Sequence, residues 1–292
     1  MAGSSAVGRP ARARRAAALG VGTLVRRLLI AAVLIVGVTV AVFPFLYLLL
    51  QSLAPWDQVD RRVFPTALTL RSYRWLLFEA GARDPWLRAL FNSFFVTVAS
   101  VLLMVTSAGL VGYALSHIPF RGRAAINNVI LFHMFFPGIL LLVPTFLIVR
   151  YAGLYNTYAG MIIPTAMSVW AIFMYTSFFK GVSSEMIEAA RIDGASEAQI
   201  VFRIIVPVSL PITSVITLFL FMDRWGQLLW DLMVVSDRSK MTLSVLLASL
   251  QGSYAPYPGP IYAASTLLTL PVLIVFWLFR RNFTAGIAFV FK

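Results

Sequence analysis

The chain has 292 residues, 60% of them hydrophobic and only 12% charged, with a mean hydropathy of +0.86. That is more apolar surface than one soluble core encloses, so the composition excludes a water-soluble domain and defines an integral membrane protein. The net charge of +13 does not indicate nucleic acid: the arginines flank apolar runs and no zinc-finger spacing or other nucleic-acid motif accompanies them, so anionic headgroups are the expected partner.

In chain order, residues 1–27 form a basic tail carrying Arg9, Arg12, Arg14, Arg15, Arg26 and Arg27. Stretches free of Asp, Glu, Lys and Arg then occupy 28–56, 89–116, 124–149, 151–179, 204–222 and 241–279, none shorter than 19 residues. About 20 helical residues cross a hydrocarbon layer, and the runs lack strict alternation, so helices are predicted rather than a barrel. Six spans are expected: 28–51, 89–115, 127–149, 158–180, 207–230 and 261–280. The first is too long for a signal-peptide core and lacks a small-x-small exit, so it reads as a retained anchor. The last run needs shortening, and "QGSYAPYPGP" at 251–260 supplies the breakers. Residues 52–88 then form one loop outside the membrane, 89–280 a five-helix core that includes the loop 181–206, and 281–292 a tail. With the N-terminus cytoplasmic, fourteen basic residues face four acids on that side and nine face six on the other; the positive-inside bias therefore places both termini in the cytoplasm.

Few residues carry chemistry. Cysteine is absent, which excludes disulfides and thiolate metal sites, and His117 and His133 stand alone, so each reads as a helix-end or interhelical hydrogen-bonding group. Lys180, Lys240 and Lys292 are the only lysines and none follows a Gly-x-x-x-x-Gly, so the chain has no P-loop and no cofactor of its own is expected. Asp223 and Arg224 are the charges inside a predicted span. Adjacent helical residues point about 100° apart, so Gln227, four and three residues on, is the expected partner of either. Such charges mark a solute pathway or snorkel to headgroups, since Asp223 lies about 24 Å along the span from Pro207. Trp56, Trp75, Trp86, Trp225 and Trp230 are placed for an interfacial aromatic belt, and Pro44, Pro137, Pro144, Pro164 and Pro271 for kinks.

The densest cluster of acids and small residues is "EAARIDGAS", Glu188–Ser196, between the fourth and fifth spans. Ser184 is expected to cap a first short helix with Glu185 and Glu188 in its early turns, Gly194 to end it, and Ser196 to open a second through the capping box "SEAQ". Pro207 and Pro211 mark the start of the fifth span. A short helix exposing Met186, Ile187, Ala189, Ala190 and Ile192 beside acids is a docking shape; a membrane-surface helix would carry a basic face.

The stretch "EAARIDGASEAQIVFRIIVPVSLP" resembles the EAA loop of ABC-importer permeases, and "NSFFVTVAS", "GYAL", "GLYNTYAGMIIP" and "LPVLIVFWLFRRNFTAGI" extend the resemblance to the maltose-type second permease subunit of the carbohydrate-uptake branch. The resemblance implies the type I importer permease fold in a bacterial inner membrane. It implies a homologous second permease, two ATPase subunits that hold the ATP and Mg, and an extracytoplasmic solute-binding protein. Glu188, Ala189, Ala190, Asp193, Gly194 and Ala195 would then form the ATPase-coupling site, Asp223, Arg224 and Gln227 the candidate sugar pathway, and Tyr254 and Tyr257 the binding-protein contact. The sequence departs from the family at Gly226, where a Trp-Asn pair is usual, and in the tail, which lacks the usual small-residue, Gly-containing ending. A self-sufficient secondary transporter or channel is the alternative; it predicts an inverted repeat and several midplane charges.

Overall fold

A computed structural model describes residues 9–79, 85–253 and 258–290, with side-chain surroundings for residue 23 and for 26–79, 85–249 and 258–279. Helix α1 runs Arg9–Ser52, and its stretch Arg26–Ser52 is long and apolar enough to cross a membrane, with none of its most apolar window buried in the protein. It meets the rest of the chain at its C-terminal end, where Tyr47 packs edge-on against Tyr262 at 6.0 Å. The following loop is tied down: the Gln51 side chain donates to the Arg62 carbonyl (2.8 Å) and accepts from the Asp60 amide (2.9 Å), and Asp60 Oδ1 accepts from the hydroxyls of Tyr47 and Tyr262. A short helix Arg71–Arg74 and the turn Trp75–Glu79 complete this cap.

Helix α2, Trp86–His117, is the second long span. The third expected span is not one straight helix. It divides into α3, Arg123–His133, and α4, Gly138–Tyr151, which meet at 104°. Pro137 sits in extended backbone at the break, and a proline disfavours helical backbone in the residue before it. The fourth divides more gently, by 41°, into α5, Tyr158–Ile162, continued by a turn to Thr165, and α6, Val169–Phe179. Pro164 lies in that turn, and Ser168 restarts the helix by accepting from the Ala171 amide at 3.3 Å. Among the described residues four helices are long and apolar enough to cross a membrane, or up to six if each bent pair counts as one span.

After the short α7, Ser184–Ile192, comes α8, Glu197–Trp225. Here the expectation of a span from 207 to 230 is corrected at both ends. Pro207 does not open the helix. Lacking an N–H for the Arg203 carbonyl, it is reached through one wide turn, Val201–Ile205, in which the Val206 amide bonds Val201 five residues back. The helix stops at Gly226, and α9, Leu229–Val234, is a separate element. Helix α10, Leu243–Ser253, fills part of the stretch read as breakers, and α11, Pro258–Val290, starts three residues earlier than expected, with Pro258 and Pro260 in its first turn. No strand occurs among the described residues.

The tightest helix pair is α2 with α6. A side-chain carbon at Gly112 would lie 2.7 Å from Tyr175 Cβ, so only glycine allows this approach. Ser116 Oγ bonds the Thr176 carbonyl across the same seam at 3.2 Å, and His117 Nε2 meets the Phe179 carbonyl at 2.8 Å, the interhelical role expected of that histidine. A core of Tyr113, Tyr175, Phe179, Ile187, Ile200 and Ile216 joins these helices to α7 and α8.

Candidate functional site

The 181–206 loop projects from the end of the bundle where α2 and α6 finish. Helix α7 begins at Ser184, so Ser183, not Ser184, takes the cap position, and its side chain makes no capping bond. The other local signals act as the sequence requires. Glu185 lies in the first turn, where the helix dipole favours an acid. Gly194 adopts φ +81°, the Gly194 amide bonds the Arg191 carbonyl at 3.0 Å and the Ala195 amide bonds the Ala190 carbonyl at 3.0 Å. That paired bonding is the Schellman stop, which needs a left-handed residue at the turn. Ser196 accepts from the Gln199 amide (3.3 Å) while Gln199 Oε1 accepts from the Ser196 amide (2.8 Å), a closed capping box.

The helix–turn–helix has two faces. Ile187, expected on the exposed face, is only 1% exposed and plugs α7 into the core beneath, with Ala190 and Ala195 packed half-buried against it. The correction follows from period: positions 187, 190 and 191 share one side of a helix and face the bundle. The opposite side carries Met186, Glu188, Ala189, Ile192 and Asp193 outward, with Ile192 at 86% exposure. Met186, Ala189 and Ile192, three apart, form an apolar stripe beside Glu188 and Asp193, a surface suited to a protein partner.

Polar contacts fix the loop further. Arg191 Nε donates to Glu197 Oε1 at 2.8 Å, and Tyr113 of α2 donates to Glu197 Oε2 at 2.6 Å. Arg191 also reaches the His117 carbonyl at 3.5 Å. The hydrogen bond to Glu197 pushes the Arg191 guanidinium above its ordinary value, so it stays charged at any physiological pH. Neither Tyr113 nor the Arg191–Glu197 pair is singled out by sequence: the two charges are six apart, off helical spacing, and only the Gly194 turn brings them together.

At the far end of α8 the predicted pathway residues separate. Arg224 is 3% exposed. Its guanidinium forms a bidentate pair with Asp231 (2.9 and 3.1 Å) and donates to Ser100 Oγ (3.2 Å) and the Met161 carbonyl (3.4 Å). Thr242 adds a bond to Asp231 at 3.4 Å. Gln227 is thus not the partner, and Arg224 does not snorkel; a carboxylate seven residues on, across the Gly226 break, neutralises it within the protein. Asp223 is exposed and Gln227 half-buried. Trp86, Trp225 and Trp230 are likewise buried rather than belted at an interface, and Trp225 Nε1 donates to the Leu268 carbonyl at 2.8 Å. Neighbouring groups clamp the 235–243 segment onto α2: Asn92 donates to the carbonyls of Ser239 and Met241 (3.0 and 2.9 Å), and Ser93 accepts from the Leu243 amide at 2.7 Å. Tyr254 and Tyr257 lie outside the described residues.

Fold and loop together define a multi-span helical membrane protein that presents a rigid helix–turn–helix beyond its spans. The chain belongs to the family of binding-protein-dependent transport system inner membrane components, which matches residues 80–285; it is a transport subunit of the inner membrane. It is 31% identical to the arabinooligosaccharides transport system permease protein AraQ of Halalkalibacterium halodurans, over 85% of this chain and 90% of that one. It is 36% identical to the inner membrane ABC transporter permease protein YcjP of Escherichia coli, over 67% of this chain and 71% of that one. Among solved structures, a bacterial ABC transporter that imports the acidic polysaccharide alginate superposes with a TM-score of 0.75 at 23% identity, covering 95% of this chain and 99% of that one.

Proposed function

We propose that this chain is one of two homologous permeases in an ATP-driven importer of a sugar or sugar-like solute, with both termini cytoplasmic. Two ATPase subunits bind ATP and Mg, and an extracytoplasmic binding protein delivers the solute. The AraQ relative, named for arabinooligosaccharides, supports the sugar class. The observation that carries the coupling role is the two-faced α7: Ile187 anchors it from below while Glu188, Ala189, Ile192 and Asp193 stand in solvent. Closure of the ATPase pair on ATP pushes that face, and the bundle responds.

The exposed Asp223 and half-buried Gln227 meet the solute, and Arg224, neutralised by Asp231, serves as their fixed support. Loop 52–88 and the segment with Tyr254 and Tyr257 meet the binding protein. The test replaces Glu188→Ala and Gly194→Val in the assembled importer. Both variants insert and leave the binding protein's solute affinity unchanged, but ATPase co-purification and uptake in reconstituted vesicles fall. Normal docking with normal solute-stimulated hydrolysis and uptake in both would remove the coupling role from the loop.

A further inference from the structure

Besides the chain that enters it from α6 and the Ile187 plug beneath it, the 181–206 loop is joined to the bundle in two mechanically different ways. Toward α8 the chain continues through the wide turn Val201–Ile205 just before Pro207, where the regular i to i−4 ladder is interrupted. Irregular turns of this kind beside a proline are where helices bend. Toward α2 the connection is through side chains: Tyr113 hydroxyl to Glu197 (2.6 Å), Glu197 to Arg191 (2.8 Å) and Arg191 to the His117 carbonyl (3.5 Å). The Tyr113 and His117 rings lie 5.7 Å apart, and His117 is in turn bonded to Phe179 of α6. Helices α2 and α6 pack at backbone contact through Gly112.

From this contrast we infer that Tyr113, Glu197 and Arg191 form a strap that directs displacement of the loop into the α2–α6 pair, while the turn before Pro207 lets α8 adjust. All three are positioning residues. The inference rests on the coupling role proposed above, and it names the route by which the push leaves the loop. Glu197 is the centre of the strap because one carboxylate closes both helices of the loop and reaches a neighbouring span. The geometry is specific: each carboxylate oxygen has its own donor, and both bonds are charge-assisted. Energetically the strap is small, because Arg191 and Glu197 keep 35% and 49% of their side-chain surface in solvent. Exposed pairs contribute little to folding, so its removal is expected to leave the permease assembled.

The experiment uses the whole importer in vesicles and reads ATP hydrolysed per solute imported, together with ATPase co-purification. Tyr113→Phe keeps the ring and removes only the donor, Glu197→Ala severs both bonds, and Glu197→Gln keeps one acceptor oxygen, for Arg191, and presents an NH2 donor from which the Tyr113 hydroxyl can accept. The strap predicts a cost in ATP per solute raised about threefold or more by Glu197→Ala, the scale of one exposed charge pair, less by Tyr113→Phe and least by Glu197→Gln, with co-purification at the parent level. An unchanged ratio in Glu197→Ala and Tyr113→Phe overturns the strap while leaving the docking role intact. Loss of insertion or of ATPase docking in Tyr113→Phe also overturns it, since the contact is then a folding or docking element. Failure of the docking role itself is read separately, from Glu188→Ala and Gly194→Val.

Discussion

Two arginine–carboxylate pairs sit near opposite ends of α8, and they differ in almost everything except length. Arg224 and Asp231 meet at 2.9 Å with 3% and 2% of their side chains exposed, whereas Arg191 and Glu197 meet at 2.8 Å with 35% and 49% exposed. The buried pair has no water to replace a lost partner, so it must be satisfied by protein, and Ser100, Thr242 and the Met161 carbonyl do so. The exposed pair exchanges with water at little cost. Burial thus assigns the first to holding the fold and leaves the second able to yield and re-form, as a moving joint requires.

The largest effect that would break this comparison is at Asp231. Asp231→Ala strands a buried guanidinium and is expected to destabilise the folded protein by roughly 3–5 kcal/mol, whereas the double change Arg224→Met with Asp231→Leu removes both charges and is expected to be near neutral. Thermal stability in detergent checks both; equal losses in the single and double variants would contradict a charge-pair origin. Next is Gly259. A Cβ there would lie 2.6 Å from Ser72 Oγ and 3.0 Å from the Trp56 ring, which is itself held by Ser72 (3.1 Å) and by Arg71 at 4.2 Å over its face. Gly259→Ala is expected to cost about 1–3 kcal/mol through overpacking and to loosen the 52–79 cap, seen as faster proteolysis of that loop.

Gly194→Val comes third. No heavy atom lies within 4 Å of the added Cβ, so the cost is backbone alone at φ +81°, about 1–2 kcal/mol. Its signature is a small stability loss with a large loss of ATPase docking. The smallest effect is at Glu197, where Glu197→Gln is expected to change stability by no more than about 1 kcal/mol. A loss at Glu197 as large as that at Asp231 would erase the distinction between the two pairs.

Legibility in the sequence followed the range of each interaction. Helix α7, the Gly194 stop and the Ser196 capping box are encoded within a few residues, and they were readable there, apart from the cap at Ser183. The number of apolar runs was equally plain. What composition hides is how a run bends: the 127–149 run contains Pro137 and Pro144, yet only Pro137 breaks it sharply while Pro144 stays inside α4. Side-chain partners were hardest. Asp231 reads as an outer-loop charge until the Gly226 break folds it back on Arg224, and Tyr113 reads as one more aromatic of a span until Glu197 arrives from 84 residues away. Ile187 lies opposite to its expected face because an amphipathic helix of nine residues does not reveal from sequence alone which side meets the bundle.

In the proposed importer the outward face of α7 meets the ATPase. Because the chain contains no cysteine, a single Ala189→Cys supplies one thiol on that face, and a short cysteine-to-amine cross-linker applied to the assembled importer reads its neighbour directly. The expected product is a cross-link to the ATPase subunit whose yield changes when ATP is added, with Ile187→Cys, on the buried face, giving none. Cross-links from Ala189→Cys confined to permease chains or lipid, with and without ATP, would contradict it.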